Sequence, residues 1–381
     1  MRKKYSIINI GCSRRGLDCQ RIKEFLDKNN FSESGNYRKA DLVILSTCGI
    51  NKHFEDKAKK YLNKINKDII IYGCLPATNP DMLKNLAHVR KIIISKDIQK
   101  FQSVFKNSPV KFQDIPDPNK IYARYSVPKL LKEAASSALL KIPSVKRHLG
   151  TIDIGKNTLK LRISWGCSGN CSFCSIKRAI GPLKSKKINE ILAEIKYADQ
   201  NKYTIDLLSS DSGSYGLDMH STIINLITTI LKKEPRIAIN YIQDLNPHWL
   251  IKFNKQFLEL VRQKKIKSLL VPIQSGSKRV LSLMNRDTNI EDLPHIINHF
   301  RTADFRIKTQ IIVGFPTESV QEFSETVALI NKAKFDEVDV FRYHETEMTP
   351  SRNIFPKIPG SEAERRIKYL TNNIRIKANI L

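Results

Sequence analysis

Short apolar runs of strand length alternate with amphipathic helical segments twice along this chain. That alternation leaves room for little but parallel sheets covered by helices, an α/β fold. In the first series, over residues 1–97, apolar runs fall at 5–10, 41–46, 68–72 and 91–94, with amphipathic segments at 17–28, 53–65 and 80–87. This series predicts an N-terminal domain built on an open parallel sheet. The second series predicts strands at 159–165, 204–209, 236–242, 267–272, 306–313 and 337–341, and helices at 189–200, 221–232, 247–262 and 320–332. Six strands are too few for a closed eight-stranded βα barrel, so the reading is an open (β/α)6 partial barrel over residues 158–345. Between the two lies a proline-punctuated linker, 98–157, with one helix expected near 128–140. Residues 346–381 read as a basic helical tail, with 360–381 as a single helix.

Seven cysteines are an odd number in a chain of 381 residues. Its basic start has an apolar run broken by Asn9 and followed by Gly11-Cys12-Ser13-Arg14-Arg15, which does not read as a secretory leader. Nothing approaches the ~18 consecutive apolar residues of a membrane span. Both points argue for metal or redox chemistry in a reducing, cytoplasmic setting, and against a disulfide framework or a membrane partner.

The cysteines are placed by pattern. Cys167, Cys171 and Cys174 stand in Trp165-Gly166-Cys167-Ser168-Gly169-Asn170-Cys171-Ser172-Phe173-Cys174, a CxxxCxxC loop directly after the first strand of the second series. Three thiolates so spaced can take three corners of an iron–sulfur cubane and leave the fourth iron open to a small molecule. A zinc site, or thiols that merely pack, are the competing readings. Zinc wants four ligands, yet the preceding cysteine is Cys74 and the next histidine His220. Cys12, Cys48 and Cys74 each fall one or two residues past an apolar run of the first series. In an open parallel sheet those strand ends share one edge, where ligands bind, so the three can converge. Cys19 lies inside a helical pattern and reads as a packed thiol.

Composition enters through charge. Sixty-five Lys and Arg against 37 Asp and Glu give +28, which favours a polyanionic partner such as RNA or DNA; a merely lysine-rich surface is the bland alternative. Lys184 and Lys186 could meet a carboxylate or a phosphate.

The CxxxCxxC loop at the head of a six-stranded series resembles the radical S-adenosylmethionine (SAM) superfamily. A three-cysteine domain ahead of it resembles the methylthiotransferase family, tRNA type, over nearly the whole chain. The resemblance is carried by Gly11-Cys12 with Asp18, Thr47-Cys48 with Glu55 and Lys57-Ala58, and Gly73-Cys74. It continues through Asp211 with Tyr215-Gly216, Pro272-Ile273-Gln274-Ser275-Gly276-Ser277 with Met284 and Arg286, and Val313-Gly314-Phe315-Pro316-Thr317-Glu318. Phe341, Tyr343 and Thr349-Pro350 complete it. Around the cysteine loop, Lys177, Gly181 and Leu183-Lys184-Ser185 are closest to the branch that modifies threonylcarbamoyladenosine. Arg15 stands where the family usually has Asn, Ile180 where Arg is common, and Met348 where Gly is common. Family members usually add a C-terminal RNA-binding TRAM domain, to which the resemblance does not extend.

The resemblance implies a transferase with two [4Fe–4S] clusters and SAM as cofactors. Cys12, Cys48 and Cys74 would hold one cluster, where a sulfur accepts a methyl group. Cys167, Cys171 and Cys174 would hold the other, where SAM is cleaved to a radical that removes hydrogen from an unactivated carbon. Asp211, Gln274, Ser275, Gly314, Phe315 and Pro316 would contact SAM. The implied substrate is a modified adenosine of tRNA, with a flavodoxin or ferredoxin as electron donor. A radical enzyme acting on a peptide, protein or small metabolite is the rival, and a non-catalytic nucleic-acid-binding protein a third reading.

Overall fold

The computed structural model describes residues 2–122, 158–196, 204–301 and 304–381; the helix expected near 128–140 lies outside them. The N-terminal sheet holds β1 (Lys4–Asn9), β2 (Ser32–Glu33), β3 (Leu42–Thr47), β4 (Asp68–Gly73) and β5 (Val89–Ile94) in the order β2-β1-β3-β4-β5, every pairing parallel. Helices α1 (Ser13–Lys28), α2 (Lys52–Leu62), α3 (Leu75–Thr78) and α4 (Phe101–Val104) connect or cover the strands. Every residue of the central β3 is buried, as expected where helices cover both faces. Tyr5, Ile7, Leu42, Ile44 and Tyr72 pack on the α1 face, and Ile8, Val43, Leu45 and Ile71 on the other. The 80–87 segment forms only a single 3₁₀ turn, Asp81–Leu83. Pro80 sets it off, and too few apolar positions follow to hold a longer helix.

The second domain contains β6 (Thr158–Arg162), the short antiparallel pair β7 (Ser164–Trp165) and β8 (Lys184–Ser185), then β9 (Thr204–Leu208), β10 (Ala238–Ile242), β11 (Ser268–Gln274), β12 (Arg306–Val313) and β13 (Glu337–Arg342). All six expected strands are present, and a seventh, β14 (Lys377–Ile380), extends the parallel order β14-β13-β12-β11-β10-β9-β6. This corrects the single C-terminal helix. Helix α13 (Gly360–Asn373) ends before Ile374, which is extended and buried, and the chain then pairs with β13. The remaining helices are α5 (Ile176–Ile180), α6 (Ile188–Lys196), α7 (Ile223–Lys233), α8 (Pro247–Lys252), α9 (Asn254–Arg262), α10 (Lys278–Leu283), α11 (Leu293–His299) and α12 (Val320–Ala333). The expected 247–262 helix is thus two, broken at Phe253. Strand β12 alternates buried and less buried residues, and its buried Ile307, Thr309, Ile311 and Val313 face the helical layer.

Buried charges lock the domains together. Asp18 of α1 accepts from Arg162 at 2.7 Å and from the Tyr72 hydroxyl at 2.7 Å. Arg162 also faces Asp117 at 3.5 Å, and Asp117 pairs with Lys186 at 2.9 Å. Arg162 and Lys186 both approach the Trp165 ring, at 5.6 and 5.4 Å, so the cysteine loop departs from a side chain anchored against two cations. Lys186 is therefore committed to protein carboxylates, Asp117 and Glu194, and is no contact for a nucleic-acid phosphate.

Candidate active site and cluster ligands

Register brings the first cysteine trio to one edge. Thr47 pairs with Gly73, so Cys48 and Cys74 each lie one residue beyond a matched pair on neighbouring strands. Asn9 pairs with Ser46, and Ile10 donates to the Ser46 carbonyl at 2.9 Å, which carries Cys12 to the same edge as the N-cap of α1. Neighbouring strands lie about 4.8 Å apart, so the three residues stand on adjacent rails. Gly73 has φ +123°, and a Cβ there would lie 2.3 Å from the Thr47 carbonyl oxygen; only glycine fits beside Cys74.

The three thiols differ in environment. Cys12 is exposed on one side; desolvation pushes its thiol up, but Arg14, Arg15 and their backbone N–H groups prevail and lower it. Burial raises Cys48 and Cys74, the latter opposed by Arg15. Cys19, fully buried, is pushed up to about 12 by desolvation and belongs to the core.

The second trio sits on a loop pinned from several sides. Gly166 has φ +69°, and a Cβ there would lie 1.7 Å from the Pro182 carbonyl. Asn285 donates to the Asn170 carbonyl at 2.8 Å, and the Ser172 hydroxyl to that of Leu283 at 2.6 Å. Lys177 caps the Cys167 carbonyl. The Gly169 N–H reaches the Cys167 sulfur at 3.2 Å, and Arg286 approaches that of Cys171 at 3.8 Å. Burial raises the Cys167 thiol to about 11 and also raises Cys174. All six cysteines are free thiols. Among the described residues no three His, Cys, Asp or Glu side chains close around a single metal ion. Thiolates spread over cubane corners need not do so, and N–H groups aimed at sulfur are the partners a cluster thiolate takes. The donor sets fit.

The trios adjoin. The Ser95 hydroxyl, 3.8 Å from the Cys74 sulfur, donates to the Ala179 carbonyl of α5 at 2.7 Å. The Ser175 hydroxyl approaches the Gly49 carbonyl at 3.5 Å.

Among the described residues, three buried acceptor atoms stand without donors at the carboxyl ends of β9, β10 and β11: Asp211 Oδ1, Gln243 Oε1 and Gln274 Oε1. Asp211 uses its other oxygen to accept from Trp249 Nε1 at 3.2 Å, and burial raises its carboxyl. Gln274 is held at φ +70°, a strained state for a non-glycine residue. Buried acceptors without donors suit a ligand rich in N–H and O–H groups, such as the ammonium and ribose of SAM. Gln243 is absent from the sequence-derived set because a lone Gln after a strand carries no pattern.

The other expected contacts are placed differently. Ser275 is fully buried, its hydroxyl shared with Thr326 at 3.3 Å and the Ser277 N–H at 3.2 Å, so it serves the turn. Phe315 packs among Val280, Leu281 and Met284, and Pro316 is buried beside it. Gly314, at φ +79°, lines a hollow of about 170 Å³ with Tyr343, Lys357 and Ile358. Its N–H is held by Glu318 Oε2 at 3.1 Å.

Fold and site together define an α/β enzyme with two sulfur trios at adjoining sheet edges. Residues 161–330 match the radical SAM superfamily, and residues 4–95 match the uncharacterized protein family UPF0004. The chain belongs to the radical SAM methylthiotransferases, transferases whose cofactors are two [4Fe–4S] clusters and SAM. It is 27% identical to ribosomal protein uS12 methylthiotransferase RimO of Caldicellulosiruptor saccharolyticus, over 99% of this chain and 83% of that protein. It is equally 27% identical to a probable threonylcarbamoyladenosine tRNA methylthiotransferase of Pyrococcus horikoshii, over 98% and 84%. Among solved structures, the radical SAM methyltransferase TsrM of Kitasatospora setae aligns with TM-score 0.62 at 12% identity, over 92% of this chain and 77% of that one, a likeness of fold. No helix among the described residues is long and apolar enough to cross a membrane.

Proposed function

We propose that the chain inserts a methylthio group at an unactivated carbon of a modified adenosine in tRNA, with N6-threonylcarbamoyladenosine as the target. The single observation behind the chemistry is the pair of cysteine trios at adjoining edges, bridged through Ser95. In this reading Cys12, Cys48 and Cys74 ligate one cluster, and Cys167, Cys171 and Cys174 the other. When bound, these groups and SAM supply the sulfur, the methyl group and the radical.

The chain's own residues bind, orient and exclude water. Gly166 and Lys177 fix the cysteine loop. Asp211, Gln243 and Gln274 accept from the amine and hydroxyls of SAM, and the Gly314 backbone offers a flat approach for its adenine. Ser275, Phe315 and Pro316 shape that mouth from behind. The buried Asp211 and the half-buried Cys167, Cys171 and Cys174 leave little water around a reactive radical.

For the substrate, the supporting observation is the +28 charge, which suits a polyanion. A ribosomal protein is the second reading, favoured by the relatives named for uS12. A ferredoxin or flavodoxin is the expected electron donor, in the cytoplasm. Nucleoside mass spectrometry of tRNA from cells with and without the gene tests the substrate. Loss of a methylthio adduct supports tRNA; an unchanged tRNA profile with a lost adduct on a ribosomal protein overturns it.

A further inference from the structure

The cysteine ligands leave unexplained one buried cation beside them. Arg15 is 6% exposed and sits one helical turn past Cys12 on α1. Its Nη1 donates to the Tyr72 hydroxyl at 3.0 Å and pairs with Asp18 at 2.9 Å. Tyr72 lies two residues before Cys74, so the guanidinium spans from the Cys12 strand end to the Cys74 strand end. Its Nε–H is buried and has no partner among the described residues. A buried donor without an acceptor is rare in a folded chain, and a bound acceptor is one explanation for it.

The surrounding backbone is built to admit this side chain. A Cβ on Gly11 would lie 2.5 Å from Arg15 Cγ, so the residue before Cys12 is one that lets the arginine stem pass. Asp18 does not neutralise the guanidinium alone, because it also serves Arg162 at 2.7 Å. The charges of Arg14 and Arg15 both reach Cys12 and Cys74.

We propose that Arg15 is a positioning residue for the N-terminal cluster: its free Nε–H donates to an anionic sulfur held there, and its charge makes that cluster easier to reduce. The inference rests on the ligand reading of Cys12, Cys48 and Cys74. A fixed hydrogen bond and a positive charge both favour the more negative, reduced state of a cluster.

The test uses the full chain with Cys167, Cys171 and Cys174 changed to Ala, reconstituted anaerobically, so that only the N-terminal cluster gives a paramagnetic signal on reduction. Iron and sulfide are counted, and the midpoint potential is read by EPR-monitored titration in this parent, in Arg15→Gln and in Arg15→Lys. The expected result is unchanged iron in Arg15→Gln and a reduced-to-oxidised ratio about tenfold lower at a fixed potential, equivalent to a midpoint about 59 mV lower for one electron. Arg15→Lys, which keeps the charge for Asp18 but loses the fixed planar donor, falls between. An equal midpoint in iron-replete Arg15→Gln overturns the proposal. If Arg15→Gln fails to load iron, Arg15→Lys decides: a lower midpoint supports the assignment, and a midpoint equal to the parent's overturns it. A parent that itself holds no iron overturns the ligand reading, and the role of Arg15 with it.

Discussion

Ser95 donates its hydroxyl hydrogen to the Ala179 carbonyl at 2.7 Å, a bond that ties the end of the N-terminal sheet to the helix following the cysteine loop. Both residues are buried, and the same hydroxyl stands 3.8 Å from the Cys74 sulfur. One small side chain therefore fixes the spacing of two sulfur sites that sequence separates by about a quarter of the chain.

Ser95→Ala leaves the Ala179 carbonyl buried without a donor. We expect a loss of about 1–3 kcal/mol in unfolding free energy, read by urea denaturation of the iron-free chain. A change below about 0.5 kcal/mol would mean water or a shifted backbone replaces the bond.

Gly166→Ala places a methyl group 1.7 Å from the Pro182 carbonyl at a positive φ. The cysteine loop must then move, and its cluster should be lost while the N-terminal one is retained. Iron analysis after reconstitution should show about half the wild-type content. Full iron would show that the loop tolerates the shift.

Asp211→Asn keeps the size of a buried acceptor but removes its charge. With both clusters intact, SAM binding should weaken about tenfold or more, the worth of a charged hydrogen bond. Gln243→Ala should weaken it less. Equilibrium dialysis with labelled SAM reads both, and unaltered affinity in both would remove this edge from the SAM site.

Glu318 gives a pH dependence with a defined sign. Burial pushes its carboxyl up to about 7, against the pull of the Gly314 N–H and Arg366. A carboxyl raised in the folded state contributes stability that is fully present below its unfolded value, near 4.5, and is lost as pH rises to about 7. Wild type should therefore lose more unfolding free energy between these limits than Glu318→Gln does, by up to about 3 kcal/mol. Parallel pH profiles for the two proteins would contradict this.

Much of this architecture was legible in the residues, for physical reasons. Apolar runs such as 306–313 match β12 because alternation is imposed by the sheet itself. The cysteines could be placed because they recur just beyond such runs, and parallel register turns that recurrence into proximity. Other features were out of reach. The segment Lys377-Ala378-Asn379-Ile380 is too short to announce a strand, and it is the open edge of β13 that makes it one. Phe253 breaks a continuous helical pattern without proline or glycine. The unmatched Gln243 Oε1 and Arg15 Nε become visible only when the hydrogen bonds around them are counted. Ser275 shows that a motif position at a strand end also carries packing the sequence does not announce, its hydroxyl being shared between the Ser277 N–H and Thr326 of α12.

The most direct measurement is iron and sulfide content, with Mössbauer spectra, for three anaerobically reconstituted proteins: wild type, the Cys12/Cys48/Cys74→Ala variant and the Cys167/Cys171/Cys174→Ala variant. Two caged clusters predict about eight irons in wild type and about four in each variant, with cubane spectra throughout. A wild type holding about four irons, all retained when Cys12, Cys48 and Cys74 are replaced, would contradict the account.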